Sequence, residues 1–147
     1  MLAAGVLLAA CPSAFALNPA LDAGQYAHRA WRIREGFSRG VIDSIAQTSD
    51  GYLWLGSELG LLRFDGVQNV QWQPPKGQEL PDGAIQSLLG TRDGALWIGT
   101  ATGLASWKGG ALTHYAELNG QRVWTLLEDH EGTIWAGGHG TPTAKLC

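Results

Sequence analysis

The aspartates that precede glycine are the side chains whose type and spacing are best suited to acid-base catalysis. Asp50, Asp65 and Asp93 each stand directly before a glycine, and carboxylates gathered on one surface can serve as general acids and bases. An Asp-Gly pair is also a strong signal for a hairpin turn, in which the aspartate accepts backbone hydrogen bonds. Because all three occur in that setting, we interpret them as turn residues rather than as a catalytic set.

The histidines do not have the spacing of a metal site. They are scattered along the chain at His28, His114, His130 and His139, and His130-Glu131-Gly132 departs from the H-E-x-x-H pattern. The sequence also contains no P-loop, no G-x-G-x-x-G and no G-x-S-x-G nucleophile elbow. We therefore expect no metal, no cofactor and no catalysis in this segment.

A repeated pattern surrounds these aspartates and explains their recurrence. Residues 50–64 read DGYLWLGSELGLLRF, residues 93–107 read DGALWIGTATGLASW, and residues 131–137 read EGTIWAG. Their tryptophans, Trp54, Trp97 and Trp135, lie 43 and then 38 residues apart. Self-similarity with a period of about 40 residues indicates a repeat architecture.

Each repeat is predicted to contain four short antiparallel strands, because apolar residues alternate with polar ones between Gly-rich turns. The predicted strands are 41–48, 52–57, 61–64 and 67–72, then 84–91, 95–100, 104–107 and 111–115, then 123–128 and 133–137. Four-stranded units of this length are the blades of a β-propeller, whereas solenoid repeats are shorter or helical. The prediction is an all-β fold with about two and a half blades of an incomplete ring: 41–72, 84–115 and a partial blade at 123–147.

Tryptophan and glycine at fixed positions are expected to hold the blades together. The three tryptophans could stack on a sugar, but an identical position in every blade favours packing against the next blade, where an indole buries roughly 150–250 Å². The glycines are expected to serve close blade contact and turns with positive φ. They are Gly51 and Gly94 in the Asp-Gly turns, Gly56 and Gly99 two residues after the tryptophans, and Gly60 and Gly103 six residues after them.

The N-terminal region is predicted to carry an export signal. Residues 1–16 are apolar and end in Ala14-Phe15-Ala16, which fits a signal-peptidase site. The alternative is a lipoprotein signal with Cys11 as the lipidated residue. Cys147 is the other of the two cysteines, and we expect no disulfide. Residues 17–40 form an N-terminal segment, in which 28–33 is the predicted ring-closing strand.

Charge and hydropathy argue against a nucleic-acid partner and against a membrane-spanning helix. The formal net charge is −3 and no basic run occurs, so nucleic acid is not an expected partner. No segment reaches the roughly 20 apolar residues of a membrane-spanning helix.

Residues 45–66, IAQTSDGYLWLGSELGLLRFDG, resemble the two-component regulator propeller repeat, and residues 25–31, QYAHRAW, resemble the opening that precedes the first repeat in that family. The third copy departs from the pattern at Glu131, which replaces Asp. The resemblance implies the periplasmic sensor region of a sensor histidine kinase, a hybrid two-component protein or a diguanylate cyclase. Its parent would be anchored in the inner membrane, complete its ring with further blades and act as a homodimer.

The same resemblance implies a small-molecule or oligosaccharide ligand and no catalysis in this segment. An exported propeller lyase or glycosidase and an adhesion scaffold are the alternatives. Ligand residues of a propeller are expected among those that vary near its faces. The candidates are Arg63, Trp72, Trp107, His114 and Tyr115.

Overall fold

The structure is a computed structural model that describes residues 40–139 and 144–146. Within these ranges the chain forms eleven strands and one short 3-10 helix, Ala116–Leu118. The strands are β1 (Ile42–Gln47), β2 (Leu53–Ser57), β3 (Gly60–Phe64), β4 (Asn69–Gln71), β5 (Ile85–Gly90), β6 (Leu96–Thr100), β7 (Leu104–Lys108), β8 (Ala111–His114), β9 (Arg122–Glu128), β10 (Ile134–His139) and β11 (Ala144–Leu146).

The strands make three antiparallel sheets in chain order. Sheet 1 is β1-β2-β3-β4, sheet 2 is β5-β6-β7-β8, and sheet 3 is β9-β10-β11. The predicted all-β fold of two and a half blades is therefore confirmed. One predicted strand, 67–72, is too long, because Asp65 binds the backbone N–H groups of Val67 and Gln68 and keeps both in the turn.

Neighbouring sheets pack side by side, mainly through their first strands: β1 and β2 contact β5, and β5 and β6 contact β9. We call the contact between sheets 1 and 2 the first interface, and that between sheets 2 and 3 the second interface. The first interface buries one apolar cluster drawn from both sheets: Ala46, Trp54, Leu61, Ile85, Leu96 and Ile98. The second buries Leu104, Leu118, Val123 and Ala136.

Equivalent residues of the first strands show which faces of the sheets are open. Leu88 packs against the first cluster and Leu126 against the second, each toward the preceding sheet. Ile45 holds the same repeat position in sheet 1 and is 63% exposed, because no described sheet precedes it. Leu127 of sheet 3 is 60% exposed, whereas its equivalent Ala46 is buried. The outer faces of sheets 1 and 3 are thus open within the described part of the chain.

Several predictions fall on residues that the structure does not describe. The signal sequence, the ring-closing strand 28–33, His28, Cys11 and Cys147 all lie outside the described residues. Among residues 40–139 and 144–146, no helix is long and apolar enough to span a membrane.

Candidate functional site

The aspartates of the Asp-Gly turns accept hydrogen bonds from their own turns. Asp50 Oδ1 accepts from Thr48 Oγ1 at 2.5 Å, and Asp93 Oδ1 accepts from Thr91 Oγ1 at 2.6 Å. The glycines that follow supply the left-handed conformation, with φ of 90° at Gly51 and 82° at Gly94. Turn geometry thus accounts for these carboxylates in the first two repeats.

Hydrogen bonding also fixes the charge of two aspartates. The backbone N–H groups of Gln68 and Val67 lower the pKa of Asp65 below its ordinary value. The Lys108 ammonium, 2.6 Å from Asp93 Oδ2, and the Thr91 hydroxyl lower the pKa of Asp93 to about 2. Both groups are ionised at neutral pH, which does not suit a general acid.

The third repeat reaches the same turn with different residues. In the first repeat, the indole Nε1–H of Trp54 donates to Thr48 Oγ1 at 2.8 Å. In the third, the indole Nε1–H of Trp135 donates to Asp129 Oδ2 at 2.9 Å, and Asp129 Oδ1 accepts from the backbone of Glu131 and Thr133. The indole is the main cause that lowers the pKa of Asp129. Asp129 thus makes the hydrogen bonds that Thr48 and Asp50 make in the first repeat. The residue at the Asp50 position is therefore free to be Glu131.

The glycines that follow the tryptophans lie where blades meet. A Cβ on Gly56 would lie 2.5 Å from Ile85 Cγ2 of sheet 2, and a Cβ on Gly99 would lie 2.8 Å from Val123 Cγ1 of sheet 3. Gly60 has a φ of 110° in its turn. A Cβ on Gly103 would lie 3.1 Å from Pro81 Cβ in the loop between sheets 1 and 2. Close contact requires glycine at Gly56 and Gly99, and backbone conformation favours it at Gly60.

Four of the five predicted ligand residues take part in ring contacts. Trp72 meets Trp54 edge-on with ring centroids 5.7 Å apart, and Trp107 with centroids 5.1 Å apart. Tyr115 stacks on Trp97 at 4.7 Å. The Arg63 guanidinium lies 4.5 Å from the centre of the Tyr52 ring. His114 is exposed at the end of β8. The structure brings Trp72 and Trp107 together but does not gather the five into one site.

Two open cavities lie on the face that carries the Asp-Gly turns. The larger, about 440 Å³, runs between the turns of sheets 1 and 2 and is lined by Gln47, Thr48, Ser49, Gly51, Gly90, Thr91 and Arg92. The other, about 350 Å³, is lined by Asp50, Gly51, Tyr52 and Asp65. Neither is lined by any of the five predicted ligand residues. In the larger one, the hydroxyls of Thr48 and Thr91 are already bound to turn aspartates.

Each first strand carries one β-bulge at the same repeat position. The register with the second strand shifts between Ile42 and Ser44, between Ile85 and Ser87, and opposite Gly137 and Gly138. The extra residues are Asp43, Gln86 and Trp124. Sequence reasoning missed them because a bulge leaves no mark in the alternation of one short strand. Aligning the three repeats would have shown a carboxylate, an amide and an indole at one otherwise equivalent position.

A metal centre has no basis in the described ranges, since no group of three His, Cys, Asp or Glu side chains there could hold an ion.

An all-β protein of side-by-side four-stranded blades, with Trp and Gly at its blade interfaces, is a propeller of sequence repeats. The family model of the two-component regulator propeller matches residues 36–58, 79–102 and 117–140. These three segments are therefore two-component regulator propeller repeats. A search of curated proteins gave no significant match.

Solved structures with similar architecture include extracellular domains from B. thetaiotaomicron. Two are structures of BT4673, described once as a one-component and once as a hybrid two-component system; each is 25% identical over 67% of this chain, with TM-scores of 0.56 and 0.57. The third, from the hybrid two-component system BT3049, is 23% identical over 75% of the chain, with a TM-score of 0.58, and shows the fold alone. The chain spans 14–16% of the length of these structures.

Proposed function

We propose that this chain is the N-terminal segment of an exported, ligand-sensing propeller in a bacterial two-component signalling protein of the sensor histidine kinase type. The observation that carries the proposal is the recurrence of three two-component regulator propeller repeats, together with similarity to extracellular domains of hybrid two-component systems. Propellers host many activities. The kinase output and the sensing role are therefore proposed from the similarity to these repeats and extracellular domains.

The segment contributes binding surface and no catalysis. Asp65 and Asp93 are ionised turn residues. Asp50 and Asp129 accept hydrogen bonds from backbone N–H groups of their own turns. This arrangement favours the sensor over the alternative of a propeller lyase or glycosidase, which needs a carboxylate able to give up a proton. Ligand binding would favour one arrangement of a periplasmic homodimer, which the membrane anchor of the parent would transmit.

The coding sequence that follows Cys147 tests which output domain the full-length protein carries. We expect further blades, then a membrane helix and a histidine kinase domain. A cyclase domain in place of the kinase would move the chain to the diguanylate cyclase alternative, and a stop codon after the last blade would overturn the signalling proposal. Autophosphorylation of the intact protein in membranes, measured with and without candidate ligands, tests sensing itself.

A further inference from the structure

The turns that follow the first strands have the same backbone geometry in all three repeats. In each turn, the glycine N–H donates to the carbonyl three residues earlier; the pairs are Gly51 to Thr48 at 2.9 Å, Gly94 to Thr91 at 3.0 Å and Gly132 to Asp129 at 3.1 Å. Neighbouring sheets also approach through equivalent glycines, Gly56 at the first interface and Gly99 at the second. The grooves between neighbouring turns are therefore equivalent, and their residues can be matched by repeat position.

The groove at the second interface is filled by two side chains of opposite charge. Arg92 Nε donates to Glu128 Oε1 at 3.1 Å, and the Arg92 backbone N–H donates to Glu128 Oε2 at 3.0 Å. The guanidinium also donates to the backbone carbonyls of His130, at 3.2 Å, and of Asp129. A cation that reaches two carbonyls and an anion that reaches a backbone N–H thus bridge this groove.

The groove at the first interface lacks both charged side chains. Ser49 holds the repeat position of Arg92, and Gly90 holds that of Glu128. The result is the open cavity of about 440 Å³, which both residues line. Thr91 and Arg92 also line it, and their carbonyls are the equivalents of the two that accept from the guanidinium. The Arg92 side chain itself is bound to sheet 3.

A small zwitterion supplies the two missing charges in one molecule. The carboxylate of a free α-amino acid can accept from the Ser49 N–H, as Glu128 accepts from the Arg92 N–H. Its ammonium can donate to the carbonyls of Thr91 and Arg92. Hydrogen bonds with one charged partner are stronger than those between neutral groups, and a cavity of this size falls within the roughly 300–1,000 Å³ of small-molecule sites.

We propose that the cavity between the turns of sheets 1 and 2 binds a free α-amino acid through the Ser49 N–H and the carbonyls of Thr91 and Arg92. The site lies apart from the five residues that the sequence suggested. The inference rests on the proposed sensing function for its role in signalling, and it specifies the binding site and the ligand class.

Isothermal titration of the intact protein with L-alanine, L-glutamine and L-arginine tests the site. We expect at least one of them to bind, and acetate and methylammonium, which each carry only one of the two charges, to bind roughly tenfold more weakly or not at all.

Two substitutions of Ser49 locate the binding. Ser49→Arg should weaken it at least about tenfold, because the new guanidinium would fill the cavity as Arg92 fills the second groove. Ser49→Ala is the matched control: it keeps the backbone N–H and should leave binding unchanged. Ser49 is exposed, so both variants should fold, and their melting temperatures check this.

Four outcomes overturn the proposal. If Ser49→Arg binds as tightly as the unaltered protein, the site lies elsewhere. If Ser49→Ala loses binding as Ser49→Arg does, the backbone contacts are wrong. Equal binding of acetate or methylammonium contradicts the zwitterion, and no binding of any of the three amino acids contradicts the ligand class. None of these results bears on the two-component output, which the downstream coding sequence decides separately.

Discussion

The two interfaces between blades use the same glycine contact and differ in almost everything around it. In both, a glycine two residues after the repeat tryptophan lets the next first strand approach, as Gly56 does for Ile85 and Gly99 for Val123. The first interface buries an apolar cluster that includes Trp54. The second adds a polar contact from Arg92 to the end of β9. The repeat therefore specifies how closely blades approach, while variable positions determine what holds them.

One repeat position illustrates the difference. The last residue of the first strand is Gly90 in sheet 2 and Glu128 in sheet 3. A Cβ on Gly90 would lie 2.0 Å from the Gln47 carbonyl oxygen, so backbone meets backbone at the first interface. At the second, the Glu128 carboxylate accepts from Arg92 Nε at 3.1 Å and from its backbone N–H at 3.0 Å. The Arg92 guanidinium also donates to the carbonyls of Asp129 and His130.

Loss of Trp54 should have the largest effect and should weaken the first interface. Trp54 is 3% exposed, so Trp54→Ala is expected to cost about 3–5 kcal/mol in the free energy of unfolding. Trp97 is only half-buried, and Trp97→Ala should cost less. Urea unfolding of the intact protein measures both, with the exposed Trp124→Ala as control. Equal losses for Trp54 and Trp124 would contradict the assignment of Trp54 to the core.

Two equivalent serines give a matched comparison of hydrogen bonding at the interfaces. Ser87 Oγ bonds the carbonyl of Val123 across the second interface, whereas Ser44 Oγ is buried without a hydrogen-bond partner. Ser87→Ala should therefore cost about 1 kcal/mol, since it removes a buried hydrogen bond that joins two sheets. Ser44→Ala should be neutral or slightly stabilising, because it removes an unsatisfied polar group. Thermal unfolding of the two variants measures both stability changes. A larger loss for Ser44→Ala than for Ser87→Ala would refute this difference between the interfaces.

Arg92 should stabilise the second interface only modestly. Its side chain is 60% exposed, so Arg92→Gln is expected to cost about 0.5–1 kcal/mol, and less at high salt. A double-mutant cycle with Glu128→Gln isolates the pair. A coupling of zero at low salt would mean that the ion pair does not hold the blades.

Acid should weaken a contact within sheet 2 rather than an interface. The pKa of Asp93 lies at about 2 in the folded protein against an ordinary value of 3.8, chiefly because of Lys108. The depressed pKa means that this stabilisation is present above pH 3.8 and is lost as the pH falls toward 2. Lys108→Gln should raise the pKa of Asp93, so the variant should lose less stability over this range. Melting temperatures across that range test this, with Lys76→Gln as control; identical profiles would exclude the effect.

The sequence predicts the blades well because their signals are local. Alternation and Asp-Gly turns predict the strands of sheets 1 and 2, and the Trp period predicts their repetition. The sequence does not predict contacts between residues of neighbouring sheets. Trp72 and Trp107, which remain predicted ligand residues, join Trp54 in a chain of edge-on rings. The partnership of Arg92 and Glu128 joins residues in different repeats, and no local pattern indicates it.

The bulges are hidden for a related reason. A single extra residue in a six-residue strand does not disturb the apolar pattern enough to be seen. The shift in register between the first and second strands of each sheet reveals it.

The sign of the stability change in Gly90→Ala tests most directly whether neighbouring repeats pack as blades. In a sheet that stands alone, replacing a strand glycine by alanine stabilises by roughly 0.5–1 kcal/mol. Against the Gln47 carbonyl, the added Cβ must force the sheets apart and should cost about 1–3 kcal/mol. A lower free energy of unfolding of the intact protein is the result that we predict, and a higher one would contradict the packing of sheets 1 and 2 as adjacent blades.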